Sequence, residues 1–95
     1  MTMYLGTLRI VLHIPQSRSL KSKRHVIKAI KDRLKNKFNV SVAEVDDNDL
    51  WQRATLGVAI VANEGQFLDQ VLSQVESFIA SNPEVNIIDV ERVDY

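Results

Sequence analysis

Residues Tyr4–Lys37, YLGTLRIVLHIPQSRSLKSKRHVIKAIKDRLKNK, change their hydrophobic period once. In the first part Gly6, Leu8, Ile10, Leu12 and Ile14 alternate with Leu5, Thr7, Arg9, Val11 and His13. That is the period of two of a strand with one covered face. Pro15 ends it, because proline has no N–H to give to a ladder. Ser17 or Ser19 then offers a hydroxyl to cap a helix. From Leu20 the apolar residues recur at the helical period. Leu20, Ile27, Ile30 and Leu34 fall within about 120° of one another, with Val26 at the edge. The segment therefore predicts a strand over Tyr4–Ile14 and a helix over Leu20–Lys37.

The rest of the chain repeats this grammar. Asn39–Val45 predicts a second strand and Arg53–Ala62 a third, the latter with Ala54, Leu56, Val58, Ile60 and Ala62 inward. The acidic, turn-rich Asp46–Asp49 lies between them, which implies a hairpin. Asn63 with Gln66 three residues on has the form of a capping box. It opens a helix over Gln66–Ala80, buried through Leu68, Leu72, Val75 and Ile79, and Ser81-Asn82-Pro83 stops it. Val85–Val93 predicts the last strand. The order β-α-β-β-α-β over residues 1–95 is one α+β domain of the split β-α-β type. Two right-handed crossovers and a hairpin give a four-stranded antiparallel sheet with both helices on one face. The open face is expected to carry Thr7, Arg9, Val11, His13, Ser41, Ala43, Val45, Thr55, Gly57, Ala59, Val61, Ile87, Asp89 and Glu91, half of them apolar.

The 95 residues carry no net charge, and that zero hides a division. Arg18–Lys37 holds nine of the twelve basic residues and one acid, Asp32, a net +8; the remainder is −8. With Ile27 at 0° and a step of 100°, Lys31, Arg24, Lys35, Lys28 and Lys21 fall at about 40°, 60°, 80°, 100° and 120°. Five cations thus form one stripe beside the buried face, and Lys23, Arg33 and Lys37 add to its field. Like charges three and four residues apart disfavour a helix. Cations in its first turns also oppose the macrodipole. A row of phosphates would offset both costs, giving affinity without base specificity. Acids elsewhere in the fold, or lysine stems covering the core edge, would account for the stripe equally well.

Glu44, Asp46, Asp47 and Asp49 crowd the hairpin, followed by Leu50 and Trp51. A calcium loop fails on spacing: counted from Asp47, Trp51 occupies the fifth position and no glycine the sixth. A solvated turn gives two carboxylates no reason for a raised pKa, so glycoside-type chemistry is not expected. Trp51, with Leu50 and Arg53, is either a partner anchor or a lid over the end of the sheet. His13 and His25 lie on different elements, and the chain has no cysteine, so neither a triad nor a metal site is expected. Three glycines make no phosphate-cradling loop. Nor does the open face offer aromatics for base stacking in the manner of an RNA-recognition motif. Met1–Leu12 has no signal-peptide pattern and no apolar run has membrane length. The expectation is a cytoplasmic, non-enzymatic protein with no cofactor.

Four stretches are more specific than any of these patterns: His13-Ile14-Pro15, Ser19-Leu20-Lys21-Ser22-Lys23-Arg24, Phe38-Asn39-Val40-Ser41-Val42-Ala43-Glu44-Val45 and Leu50-Trp51-Gln52-Arg53. Through them nearly the whole chain resembles the YlxP-like family, a bacterial domain of unknown function. The resemblance implies a ferredoxin-like fold and brings no established activity, cofactor or catalytic residue. Members of that family are often encoded beside genes for translation initiation and ribosome assembly, which implies a role near the ribosome or its RNA. Two expectations follow. One is an RNA- or ribosome-associated protein holding phosphate through Lys21, Arg24, Lys28, Lys31 and Lys35. The other is a self-associating module, a homodimer through the open sheet face. Partner contacts there would fall on Trp51, Arg53, Val11 and Ala59, with Ala43, Val45 and Val61 also buried, and the acidic tip of one copy could meet the basic helix of another.

Overall fold

A computed structural model describes residues 2–95. Six elements follow the expected order: β1 (Tyr4–His13), α1 (Leu20–Lys37), β2 (Ser41–Asp46), β3 (Arg53–Ala62), α2 (Gly65–Ala80) and β4 (Asn86–Asp94). The sheet order is β2-β3-β1-β4, and every neighbouring pair is antiparallel. This is the ferredoxin-like arrangement. β1 and β3 form the central ladder, from Tyr4 opposite Ala62 to His13 opposite Arg53.

The even-numbered residues of β1 and β3 build the core. Leu8, Ile10, Leu12, Ala54, Leu56, Val58 and Ile60 are buried against Ile27, Ile30 and Leu34 of α1 and against Leu68, Leu72, Val75 and Ile79 of α2. Gly6 lies where α2 crosses β1 most closely. A Cβ there would stand 2.8 Å from Leu68 Cδ2 and 3.0 Å from Leu72 Cδ1, so only glycine lets the helix settle without displacing those side chains. Ser19 caps α1, its Oγ accepting from the Ser22 N–H at 3.0 Å.

Bounds of β1, α2 and β4 differ from expectation by one residue, and three further local expectations differ from the structure. The capping box at Asn63 does not form: Glu64 is the N-cap of α2 and makes no side-chain cap bond. β2 starts at Ser41 rather than Asn39. The third difference changes a face. The β1–β4 ladder pairs Leu12 with Ile87 but Val11 with Asp89, so one extra residue bulges out of β4. A bulge reverses side-chain parity beyond it. Ile87 therefore turns inward to the core instead of outward, and Ile88 is left 53% exposed.

Candidate functional site

The five residues of the stripe stand on the outer side of α1 as the wheel requires. Lys21, Arg24, Lys28 and Lys35 are exposed and Lys31 is half-buried. Lys21, Arg24 and Lys28 border a shallow depression of about 620 Å³ in which Glu84 is the single acid. Within the stripe one cation has a carboxylate: Lys28 Nζ bonds Asp32 Oδ2 at 2.8 Å across one turn. That hydrogen bond holds the Asp32 carboxyl below its ordinary range and raises the Lys28 ammonium.

Lys23 leaves the field altogether. The sequence grouped it with the surface cations, but its side chain is fully buried. Its Nζ donates to the backbone carbonyls of Asp47 at 2.8 Å and of Asn48 and Arg53 at 3.2 Å each. Glu44 Oε2 lies 3.0 Å away. An ammonium has three hydrogens, and the three carbonyls take them. Glu44 Oε2, itself buried, therefore neutralises the charge at contact distance without receiving a hydrogen bond. Lys23 is an internal cation inside an oxygen cage. The signal was present on the wheel: at about −40° Lys23 falls between Ile30 and Leu34, in the middle of the apolar arc. Nothing local shows which oxygens it meets.

The cage organises the hairpin tip. Asp47 takes a left-handed backbone, φ 62°, and its Oδ2 accepts from Thr55 Oγ1 at 2.7 Å and from Arg53 Nε at 3.1 Å. Arg9 pairs with Asp46 at 3.2 Å. Gln52 Nε2 donates to the carbonyls of Pro15 and Ser17, and the Gln52 carbonyl accepts from Ile14 N–H at 2.8 Å. The tip is thus acidic in sequence and nearly neutral in space. Glu44, Asp46 and Asp47 each face a cation, which leaves Asp49 as the one acid of the tip without an ion pair among the described residues. Trp51 projects from this pinned loop, 57% exposed, beside an exposed Leu50.

The pairing extends across the molecule. Arg9, Arg53 and Arg92, the three bases outside Arg18–Lys37, are all ion-paired; Arg92 bridges Asp69 of α2 and Asp94 of β4. Inside that segment only Lys23 and Lys28 are. Among the described residues, Arg18, Lys21, Arg24, Lys31, Arg33, Lys35 and Lys37 have no carboxylate at salt-bridge distance. Lys37 instead lies over the rings of Phe38 and Phe78.

The open sheet face holds a trough of about 390 Å³, floored by Ala43, Gly57 and Ala59 and flanked by Arg9, Val45 and Val93. Ala59 is half-buried there. Val11, expected on this face, is only 3% exposed, and its neighbour Thr55 is fully buried. Val11 therefore presents nothing to a partner; the chain itself closes this end of the sheet, where Thr55 bonds the tip through Asp47. One aromatic does reach the trough, Tyr95, tied to Leu5 by backbone bonds at the sheet's other end. The four short stretches quoted from the sequence thus mark the end of β1, the capped start of α1 with Lys23, β2 with Glu44, and the segment that enters β3 at Arg53, whose carbonyl Lys23 bonds.

The family described as "Protein of unknown function (DUF503)" matches residues 5–92. The chain belongs to this family. A relative from Bacillus subtilis (strain 168), "Uncharacterized protein YlxP", is 45% identical over 67 residues, covering 70% of this chain and 73% of that protein. Among solved structures, "De novo designed protein Foldit4" superposes with a TM-score of 0.58 over 98% of this chain and 96% of the other. At 16% identity that likeness concerns the fold alone. Within this DUF503 domain, no helix of the described residues is long and apolar enough to cross a membrane.

The Thr55 hydroxyl, followed by the Arg53 guanidinium, holds the Asp47 carboxyl below its ordinary range. A depressed folded-state pKa stabilises the fold above the unfolded value, near 3.9. That contribution is lost as pH falls through the folded value. Asp47→Asn keeps a residue type that tolerates positive φ and removes the charge. The variant is expected to be less stable than wild type at neutral pH and equal to it in strong acid. Urea midpoints measured across the acid range check this; a gap that persists in strong acid would show that the carboxylate charge is not the cause.

Proposed function

We propose that this protein is a non-catalytic RNA- or ribosome-associated binding protein, held to phosphate by α1 and working in the cytoplasm. Lys21, Arg24, Lys28, Lys31 and Lys35 are the contact residues, with Arg18, Arg33 and Lys37 adding field. The observation that carries this reading is the distribution of ion pairs. The acids nearest the other bases are already engaged, and seven cations of one segment have no carboxylate of their own. Internal neutralisation, which accounted for the stripe equally well at the level of sequence, has one ion pair among the described residues of the stripe, Lys28 with Asp32, whose carboxylate also attracts Lys31 and Lys35. A regular row of anions would relieve like charges spaced three and four residues apart.

A second reading, self-association through the open face, draws support from the uncovered trough at Gly57 and Ala59. It loses one of its elements, because the tip that was to meet a partner's basic helix is largely neutralised within the chain.

Salt separates the two. Binding of single-stranded RNA through about five phosphates is expected to give a log–log slope of affinity against salt near −3 to −5. Anisotropy titrations of a labelled oligoribonucleotide at several salt concentrations measure it. A flat slope, together with an apparent mass that rises with protein concentration, would replace the RNA reading with self-association.

A further inference from the structure

Trp51 is the single tryptophan of the chain, and the fold leaves it out. A large aromatic side chain that stays 57% exposed forgoes most of its burial. A floppy loop would explain that, but this loop is held on both sides. Before Trp51, the carbonyls of Asp47 and Asn48 are bonded by the buried Lys23 ammonium. After it, Gln52 is bonded through its side chain to the Pro15 and Ser17 carbonyls and through its own carbonyl to Ile14. The backbone that presents the indole is therefore pre-organised, which lowers the entropy lost when something stacks on it.

The same contacts place Trp51 beside the start of α1. Gln52, its chain neighbour, bonds the Ser17 carbonyl, and Ser17 precedes the unpaired Arg18; Lys23, inside the first turns of α1, bonds the carbonyls of Asp47 and Asn48, four and three residues before Trp51. The tip is close to neutral once Glu44, Asp46 and Asp47 are paired. An aromatic platform whose tip keeps one unpaired acid among the described residues, Asp49, thus adjoins a run of cations without ion pairs. That is the combination by which proteins hold single-stranded nucleic acid: backbone phosphates on cations, a base on an aromatic face.

We propose that Trp51 is a stacking platform for an unpaired base of a single-stranded RNA whose phosphates run along α1 from Arg18 and Lys21. The proposal rests on the phosphate reading of α1 and adds the ligand's strandedness and one contact to it. It differs from the recognition mode excluded above, because the aromatic lies on the hairpin tip and not on the central strands.

Because Trp51 is the sole tryptophan, its emission reports the contact directly. The experiment titrates the full chain with a labelled short oligoadenylate, an abasic oligomer with the same number of phosphates, and a duplex RNA. Label anisotropy and Trp51 emission are read together. Oligoadenylate is expected to quench the emission with the midpoint given by anisotropy; the abasic oligomer and the duplex are expected to bind without that quench. Trp51→Ala is expected to weaken oligoadenylate binding roughly five- to 150-fold and to leave abasic binding unchanged, while Trp51→Phe recovers much of the loss. Circular dichroism checks that each variant folds. Binding by anisotropy with no quench and no effect of Trp51→Ala overturns the stacking proposal and leaves the phosphate reading standing. No binding of any oligomer overturns both. A Trp51 emission that shifts with protein concentration in the absence of RNA assigns the tip to contact between copies and overturns the proposal.

Discussion

Lys23→Ala is expected to destabilise the domain by about 3–5 kcal/mol, the cost of removing one partner from a buried ion pair. The wild-type ammonium satisfies three backbone carbonyls from two places in the chain, Asp47–Asn48 and Arg53, and faces Glu44. Alanine takes that cation from all four oxygens; the Asp47 carbonyl keeps the Leu50 N–H at 3.1 Å, but the buried Glu44 Oε2 loses its countercharge. Each orphaned buried acceptor costs about 1–3 kcal/mol. A domain of this size has only about 5–15 kcal/mol to lose, so the variant should unfold at a much lower urea concentration. Two further variants assign the cause. Lys23→Met restores the stem's packing but bonds no carbonyl, so it should recover only a minor part of the loss. Glu44→Gln keeps the carbonyls bonded and removes only the countercharge, so it should cost less than Lys23→Ala. Equilibrium urea unfolding measures all three. A Lys23→Ala variant within about 1 kcal/mol of wild type would show that the cage is not what holds the tip to α1.

Reversing Lys28, Lys31 and Lys35 to glutamate is expected to abolish association with RNA and with ribosomes while the fold survives. The three residues are separable from the core. Lys28 and Lys35 are exposed, Lys31 is half-buried, and none joins the Lys23 cage. Reversal removes three of the five stripe cations and sets three carboxylates where phosphates would lie, so at constant salt the loss should exceed that from neutral substitutions at the same positions. Glutamate at 28 also faces Asp32 one turn on, a modest local cost to the helix. Co-sedimentation with ribosomes, read beside far-UV circular dichroism, checks both halves. Retained co-sedimentation by a folded variant would remove the stripe from the binding surface. A neutral Lys28/Lys31/Lys35→Gln variant of intermediate affinity would identify the interaction as electrostatic.

How much of this was legible depends on the range of the physics involved. The periods of β1, α1, β3 and α2 are local, set by which neighbours share a face at 2.0 or 3.6 residues. They determined the element order, the four-stranded sheet, the even-numbered core of β1 and β3, and the stripe on the outer side of α1. The bounds of α1 and β3 follow to the residue because each is closed by a local signal, Ser19 before α1 and the acidic tip before β3. Where no such signal exists, the sequence misled. The bulge opposite Val11 and Leu12 depends on how β4 meets β1, and it turned Ile87 to the core and left Ile88 exposed.

The charge division with which the helix stood out was also only half read. Counting charges along the chain makes Lys23 one cation among nine and Glu44 one acid among four at the tip. Tertiary structure decided that these two meet, that Arg9 and Arg53 take Asp46 and Asp47, and that Lys21, Arg24, Lys31 and Lys35 are left without acids. The reason is that hydrophobic periodicity is a property of one element. Which buried cation finds which carbonyls is a property of two segments more than twenty residues apart, and only the folded chain brings them within 3.2 Å.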